Sequence, residues 1–259
     1  MFKLIRVVIL LTILFVVASN TLLDHSRATN WDRALYVSIY PLLAAGNNSA
    51  ASARFLGDLK LRTFAPVEKF FSRELGRYGK NIDRPVIISL HSVIHSQPPV
   101  LDAGASRLAT AIWSLKMRYW AWKTSSSTDG VPGDVRVFVS YHPAGKKELL
   151  ERSTALRKGQ IGLVNARASR SSNAKNNIII AHELLHVLGA TDKYNLANGQ
   201  PIEPDGLAEP KRNPLYPQRV AEIMAARIPT SKSQWRSPAN IGQTMVASKT
   251  AREIGFLGN

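Results

Sequence analysis

Residues 178–194 read IIIAHELLHVLGATDKY. His182 and His186 are four positions apart, so on a helix both imidazoles leave the same face and can close on one cation. Glu183 sits between them, within reach of a water on that cation. Ile178, Ile179 and Ile180 lead in, and Leu184, Leu185, Val187 and Leu188 pack the remaining faces. Two histidines and a glutamate are costly on such an apolar helix unless something partners them. The helix is expected to stop at Gly189, because glycine accepts the left-handed conformation of a C-terminal cap. Asp192 and Tyr194 follow just past that turn.

The composition narrows the chemistry. The 259 residues, 45% of them apolar, fit one globular domain with a leader. There is no cysteine. That excludes disulfides, cysteine-based zinc knuckles, thiol proteases and the deformylase pattern that adds a cysteine ligand to HExxH. Lys plus Arg is 34 against 18 for Asp plus Glu, a net charge of +16. Such a surface attracts polyanions, and an anionic membrane or envelope polymer is the expected partner. Arg167, Arg170 and Lys175 add a basic cluster just before the histidine pair. No nucleic-acid motif accompanies the charge, so nucleic acid is not expected.

Lys3 and Arg6 precede an uncharged apolar run over residues 7–23. A positive flank followed by such a run is an export signal whose flank stays in the cytoplasm. Residues 1–23 are read as a signal anchor or signal peptide. Val16 and Ala18 make a poor cleavage site, which favours an uncleaved N-terminal membrane helix. Residues 24–259 are then the folded domain, membrane-anchored facing the periplasm or cell exterior, or secreted.

Between leader and motif, strand and helix signals alternate. Leu35, Val37 and Ile39 alternate with Tyr36, Ser38 and Tyr40, a first strand expected to stop at Pro41. Residues 44–53 read as a loop. Residues 55–78 have helical spacing with a break expected at Pro66. Residues 85–91 (PVIISLH), 134–142 (DVRVFVSYH) and 161–167 (IGLVNAR) read as further strands. Residues 107–123 (RLATAIWSLKMRYWAWK) read as a helix with two apolar stripes. Ile112, Leu115, Tyr119 and Trp122 form one; Trp113, Met117 and Trp120 form the other. A face that broad is expected to pack across a sheet; the alternative is a membrane-surface role for the tryptophans with Lys116, Arg118 and Lys123. His91 and His95 also stand four apart, but at a strand end, where that spacing does not align side chains. Residues 195–218 are rich in Pro, Gly and Asn and carry no regular pattern. Residues 244–256 suggest a final helix with Met245, Ala251 and Ile254 inward.

A catalytic zinc usually has three protein ligands and one open position. The chain has six histidines, none after His186. A downstream third ligand must be a carboxylate or a tyrosine, and the candidates are Asp192, Glu203, Asp205, Glu209 and Glu222.

HELLHVLGATD resembles the metzincin metallopeptidase signature HExxHxxGxxH with its last histidine replaced by Asp192. The snapalysin family of bacterial metzincins has that replacement, and a tyrosine two residues on, as Tyr194 is here. AEIMA, with Met224, resembles the methionine turn of those enzymes. The match covers residues 178–194 and 222–225. It implies an α/β (α+β) zincin domain, with a mixed twisted sheet and the active-site helix. It implies zinc held by His182, His186 and Asp192, peptide or protein substrates, and endopeptidase chemistry. Glu183 is the implied general base, acting on a zinc-activated water, and Tyr194 an implied donor to the developing oxyanion. The strand before the active helix, residues 161–167, is the implied edge for an extended substrate. Two other readings stand beside this one. A gluzincin-type peptidase would use a downstream Glu as third ligand. A non-catalytic envelope protein would keep the metal for structure or binding, although a structural zinc normally has four protein ligands.

Overall fold

The computed structural model describes residues 29–102, 104–145, 150 and 153–258. The expected N-terminal membrane helix lies outside the described residues. Among the described residues, no helix is long and apolar enough to cross a membrane.

Five strands make one mixed sheet: β1 (Leu35–Leu43), β2 (Val86–Leu90), β3 (Val135–His142), β4 (Thr154–Leu156) and β5 (Ile161–Arg167). Their order is β2-β1-β3-β5-β4. The first four in that order are parallel, and β4 runs antiparallel to β5. Helices α1 (Ala50–Gly57), α2 (Ala65–Arg77), α3 (Arg107–Ser126), α4 (Asn173–Leu188) and α5 (Ser248–Glu253) complete the frame. Successive strand residues point to opposite faces, so each face gets its own core. On one face Val37, Ile39, Val135, Val137 and Val139 meet Leu56 of α1, Phe70 and Phe71 of α2, Leu184 and Leu188 of α4, and Ala251 of α5. On the other, Tyr40, Leu42, Phe138 and Ile161 meet Met117 and Ala121 of α3.

The larger core is anchored by aromatic rings. Phe71 is fully buried, stacked 6.3 Å from Trp31 and edge-on to Phe70 at 5.4 Å. Removing that ring leaves a cavity between α2 and the sheet. Phe71→Ala is expected to cost about 3–5 kcal/mol, read as a lower denaturant midpoint with little change in slope.

Several local expectations are corrected. Pro41 does not stop β1, which runs on to Leu43 and pairs Pro41 with Val139. The carbonyl of Pro41 accepts from Ile94 N at 2.8 Å, so its missing N–H would face the same side, beyond the end of β2, where no ladder bond is lost. Pro66 does not break a helix but begins α2, because a first-turn N–H has no partner within the helix anyway. The loop expected over 44–53 gives way to α1, whose cap Ser49 accepts from Ser52 N. The final helix shrinks to α5. Thr244 and Met245 instead form a strand, β7, which pairs with β6 (Ala221–Glu222). Ala251 and Ile254 are buried as expected.

Two corrections matter more for function. Residues 161–167 are not the sheet edge: β5 lies between β3 and β4, and β4 is the edge. Three residues of strand, Thr154, Ala155 and Leu156, are too short to stand out in the sequence. The stripe Ile112, Leu115, Tyr119 and Trp122 does not pack across the sheet but faces outward. One face of a helix suffices to cover the sheet, and the Met117 side takes it.

Candidate metal centre

Helix α4 begins a turn earlier than the apolar run suggests. Asn176 fixes its start against β5: its amide donates to Arg167 O at 2.9 Å and its Oδ1 accepts from Arg167 N at 3.1 Å. The helix ends where Gly189 takes φ +113°. A side chain there would be strained by that φ and would meet the Arg157 guanidinium at 3.1 Å. The turn at Gly189 sends the chain back under the histidines.

His182 Nδ1 donates to Ile223 O at 3.0 Å, and His186 Nδ1 donates to Ala190 O at 2.8 Å. Carbonyl oxygens only accept, so each Nδ1 carries its proton and each Nε2 presents a lone pair. Both Nε2 atoms face Asp192 Oδ1, at 3.3 Å from His182 and 3.1 Å from His186. The ligand atoms of the three residues all lie within 4.8 Å of one another. Three acceptors converging on one point call for a cation or a proton between them, and the two carbonyls fix each ring as a metal ligand requires. The donor set of two imidazole nitrogens and one carboxylate oxygen suits a divalent metal such as zinc.

The electrostatics agree. Burial works against a charged His186, yet Asp192, the Ala190 carbonyl and Glu183 outweigh it and raise its pKa above the ordinary value. Burial also opposes the Asp192 charge, but the two imidazoles outweigh it and hold its carboxyl well below the usual range.

Asp192 is held from both sides by residues the sequence reading passed over. Glu253, on α5, accepts from Thr191 N at 3.0 Å and Thr191 Oγ1 at 2.9 Å. Lys193 is turned inward, 4% exposed, with Nζ 2.8 Å from Glu253. Its Nζ also donates to Thr191 O at 2.8 Å. Asp-Lys at a helix end looks like a solvated pair; only the tertiary fold brings Glu253 to it, 60 residues on. Burial alone would raise the Glu253 pKa, but Lys193 and Thr191 overcome it and lower it. A depressed carboxylate pKa contributes stability above its unfolded value of about 4.3. That stability is lost as pH falls through the folded pKa. Wild type is therefore expected to lose stability on acidification from pH 5 more steeply than Glu253→Gln, as read by thermal melts at stepped pH.

Met224 is fully buried in a tight turn beside the histidines. The turn closes with Ala225 N on Glu222 O at 3.1 Å and Ala226 N on the same oxygen at 3.0 Å. Its carbonyls hold the site: Ile223 O takes His182, and Met224 O accepts from Lys193 N at 3.1 Å. The other candidate carboxylates lie elsewhere. Glu222 is buried behind the turn, accepting from Thr250 Oγ1 at 2.8 Å and Ala225 N at 2.9 Å. Burial raises its pKa against the pull of those donors. Glu203 accepts from the Tyr216 hydroxyl, and Glu209 pairs with Arg212 and Arg219. Asp205 is exposed. Among the described residues, only His182, His186 and Asp192 group as metal ligands. His91 has both ring nitrogens engaged, by Ser38 Oγ and Asp129 O.

The three ligands and Glu183 line an open cleft of about 980 Å³. Thr154 and Ala155 of the edge strand form one wall, and Tyr194 lines the same cleft. Glu183 is only 5% exposed. Arg227, also on the cleft, lies over the Trp235 ring at 3.8 Å. Of the basic cluster, Arg170 pairs with Asp58 and Arg167 donates to Pro143 O.

Neither protein-family models nor curated proteins give a match to the chain.

Proposed function

We propose that this chain is an extracytoplasmic zinc-dependent endopeptidase of metzincin type. The observation that carries the reading is the convergence of His182 Nε2, His186 Nε2 and Asp192 Oδ1 in an open cleft that also holds Glu183 and the sheet's antiparallel edge. His182, His186 and Asp192 would hold the ion. When bound, zinc supplies Lewis-acid polarisation of the scissile carbonyl and lowers the pKa of water to near neutrality. Glu183, on the same helix face, takes the proton of the attacking water and passes it to the leaving amine. Tyr194 donates a hydrogen bond to the oxygen that gains charge. Strand β4, rather than β5, aligns an extended substrate by adding it to the sheet edge. The position of Glu222, Glu203 and Glu209 away from the histidines argues against a gluzincin ligand set. A group of three ligands leaves coordination open, as catalysis needs and a closed structural site does not.

The test is zinc content of the purified chain together with cleavage of a peptide library. Zinc at one per chain with library cleavage supports the reading. Zinc-loaded, folded protein that cuts no peptide would return the site to a binding role.

Glu253 acts on this site as a positioning residue, through Thr191 and Lys193. Loss of a group that only supports a ligand typically costs about 10–100-fold in metal affinity. Glu253→Gln is expected to weaken zinc binding by that order, measured by competition with a chelator.

A further inference from the structure

A helix that covers a sheet normally turns a polar face to water. Helix α3 does not. Its inner face, Met117 and Ala121, belongs to the smaller core. Its outer face carries Leu108, Ile112, Leu115, Tyr119 and Trp122, exposed by 71, 45, 64, 61 and 58%. Their spacing by fours and threes puts them in one stripe along the helix, about 21 Å long at 1.5 Å per residue.

The stripe is bordered by cations. At about 100° per residue, Lys116 and Lys123 fall along one flank and Arg107 and Arg118 along the other. Residues 107–126 contain no Asp or Glu. Beside Trp122 opens a depression of about 460 Å³ that is also lined by Arg118, Arg136 and Lys158. The acid in it, Asp134, is already bound by Arg33 at 2.7 Å.

We propose that the outer face of α3 docks on an anionic lipid bilayer. The helix lies in the headgroup plane, with Leu108, Ile112 and Leu115 entering the acyl boundary. Tyr119 and Trp122 sit at the interface, which suits rings with an apolar body and a polar edge. The flanking cations meet lipid phosphates, and the net charge of +16 draws the whole domain to the surface. A second copy of the chain fits less well, because a stripe-to-stripe contact would bring like charges together. The inference stands independently of the peptidase reading.

The absence of cysteine makes a single label site simple to build. Full-length Leu115→Cys carries an environment-sensitive fluorophore, and Leu61→Cys, on the 3-10 turn between α1 and α2, is the control. Both are mixed with phosphatidylcholine vesicles, with and without phosphatidylglycerol, containing a lipid-borne quencher. The readout is local, so membrane binding by residues 1–28 does not produce it. The label at 115 is expected to shift to the blue and lose emission with phosphatidylglycerol only. High salt, or Tyr119→Glu in the same chain, abolishes both changes. The label at 61 reports water throughout. A water-exposed label at 115 on anionic vesicles, or equal quenching on neutral ones, overturns the proposal. Shielding of that label without lipid also overturns it: doubled mass in sedimentation assigns the face to a second copy, and monomer mass to residues 1–28.

Discussion

Glu183→Gln is expected to keep its zinc and lose peptidase activity by roughly 10²–10⁴-fold, the contribution typical of a positioned general base. The side chain lines the cleft beside the two histidines, yet does not belong to the converging ligand group. Replacing an oxygen by an amide nitrogen keeps the size and the buried position. It removes the lone pair that accepts the proton. Metal content should therefore stay at the wild-type value while kcat/KM falls. Measuring both on the same folded preparation separates the outcomes. Loss of zinc would mean that Glu183 is itself a ligand. Undiminished cleavage would remove it from the chemistry.

What the sequence could disclose depended on how local the cause was. His182, His186 and the cap at Gly189 were legible because helix periodicity and one glycine set their geometry within a few residues. The strands of the parallel ladder were legible for a similar reason: they are short runs rich in Val, Ile and Leu with a period of two. β4 was not, because three residues carry no period, and what makes them a strand is the neighbouring β5. Its arrival shifts the expected substrate edge by one strand. Lys193 and Glu253 were invisible for a different reason. A lysine beside an aspartate usually belongs to water, and only the packing of α5 against the Gly189 turn buries it. The α3 stripe shows the opposite failure. Its sequence shows two apolar stripes, but a pattern cannot tell which stripe meets the sheet. The stripe of Trp113, Met117 and Trp120 is the one that meets it, with the Trp120 ring 4.6 Å from that of Phe138.

Asp192→Ala is expected to lose zinc and activity together, whereas Glu222→Ala keeps the zinc in whatever fraction folds. The loss at Asp192 should exceed the roughly 10–100-fold that a merely supporting residue costs, since a charged ligand atom is removed outright. The chain between His186 and Asp192 is short, and its path is fixed at both ends. Gly189 N bonds back to His186 O at 3.0 Å, and Ala190 N to Leu185 O at 2.9 Å. Beyond Asp192, Lys193 N reaches Met224 O and Lys193 Nζ reaches Glu253. Asp192 therefore arrives beneath the imidazoles with little freedom left to lose on binding a cation. Glu222 is engaged differently. Its two oxygens accept from Ala225 N, Ala247 N and Thr250 Oγ1, and it is not among the residues that line the cleft. Cutting it back to alanine leaves those donors unsatisfied, at about 1–3 kcal/mol for each buried group. The expected signature is a lower melting temperature with unchanged zinc per folded chain. Glu222→Gln retains one accepting oxygen and guards against outright unfolding. Should Glu222→Gln fold and lose its metal while Asp192→Ala retains it, the third ligand is the glutamate and the metzincin reading fails.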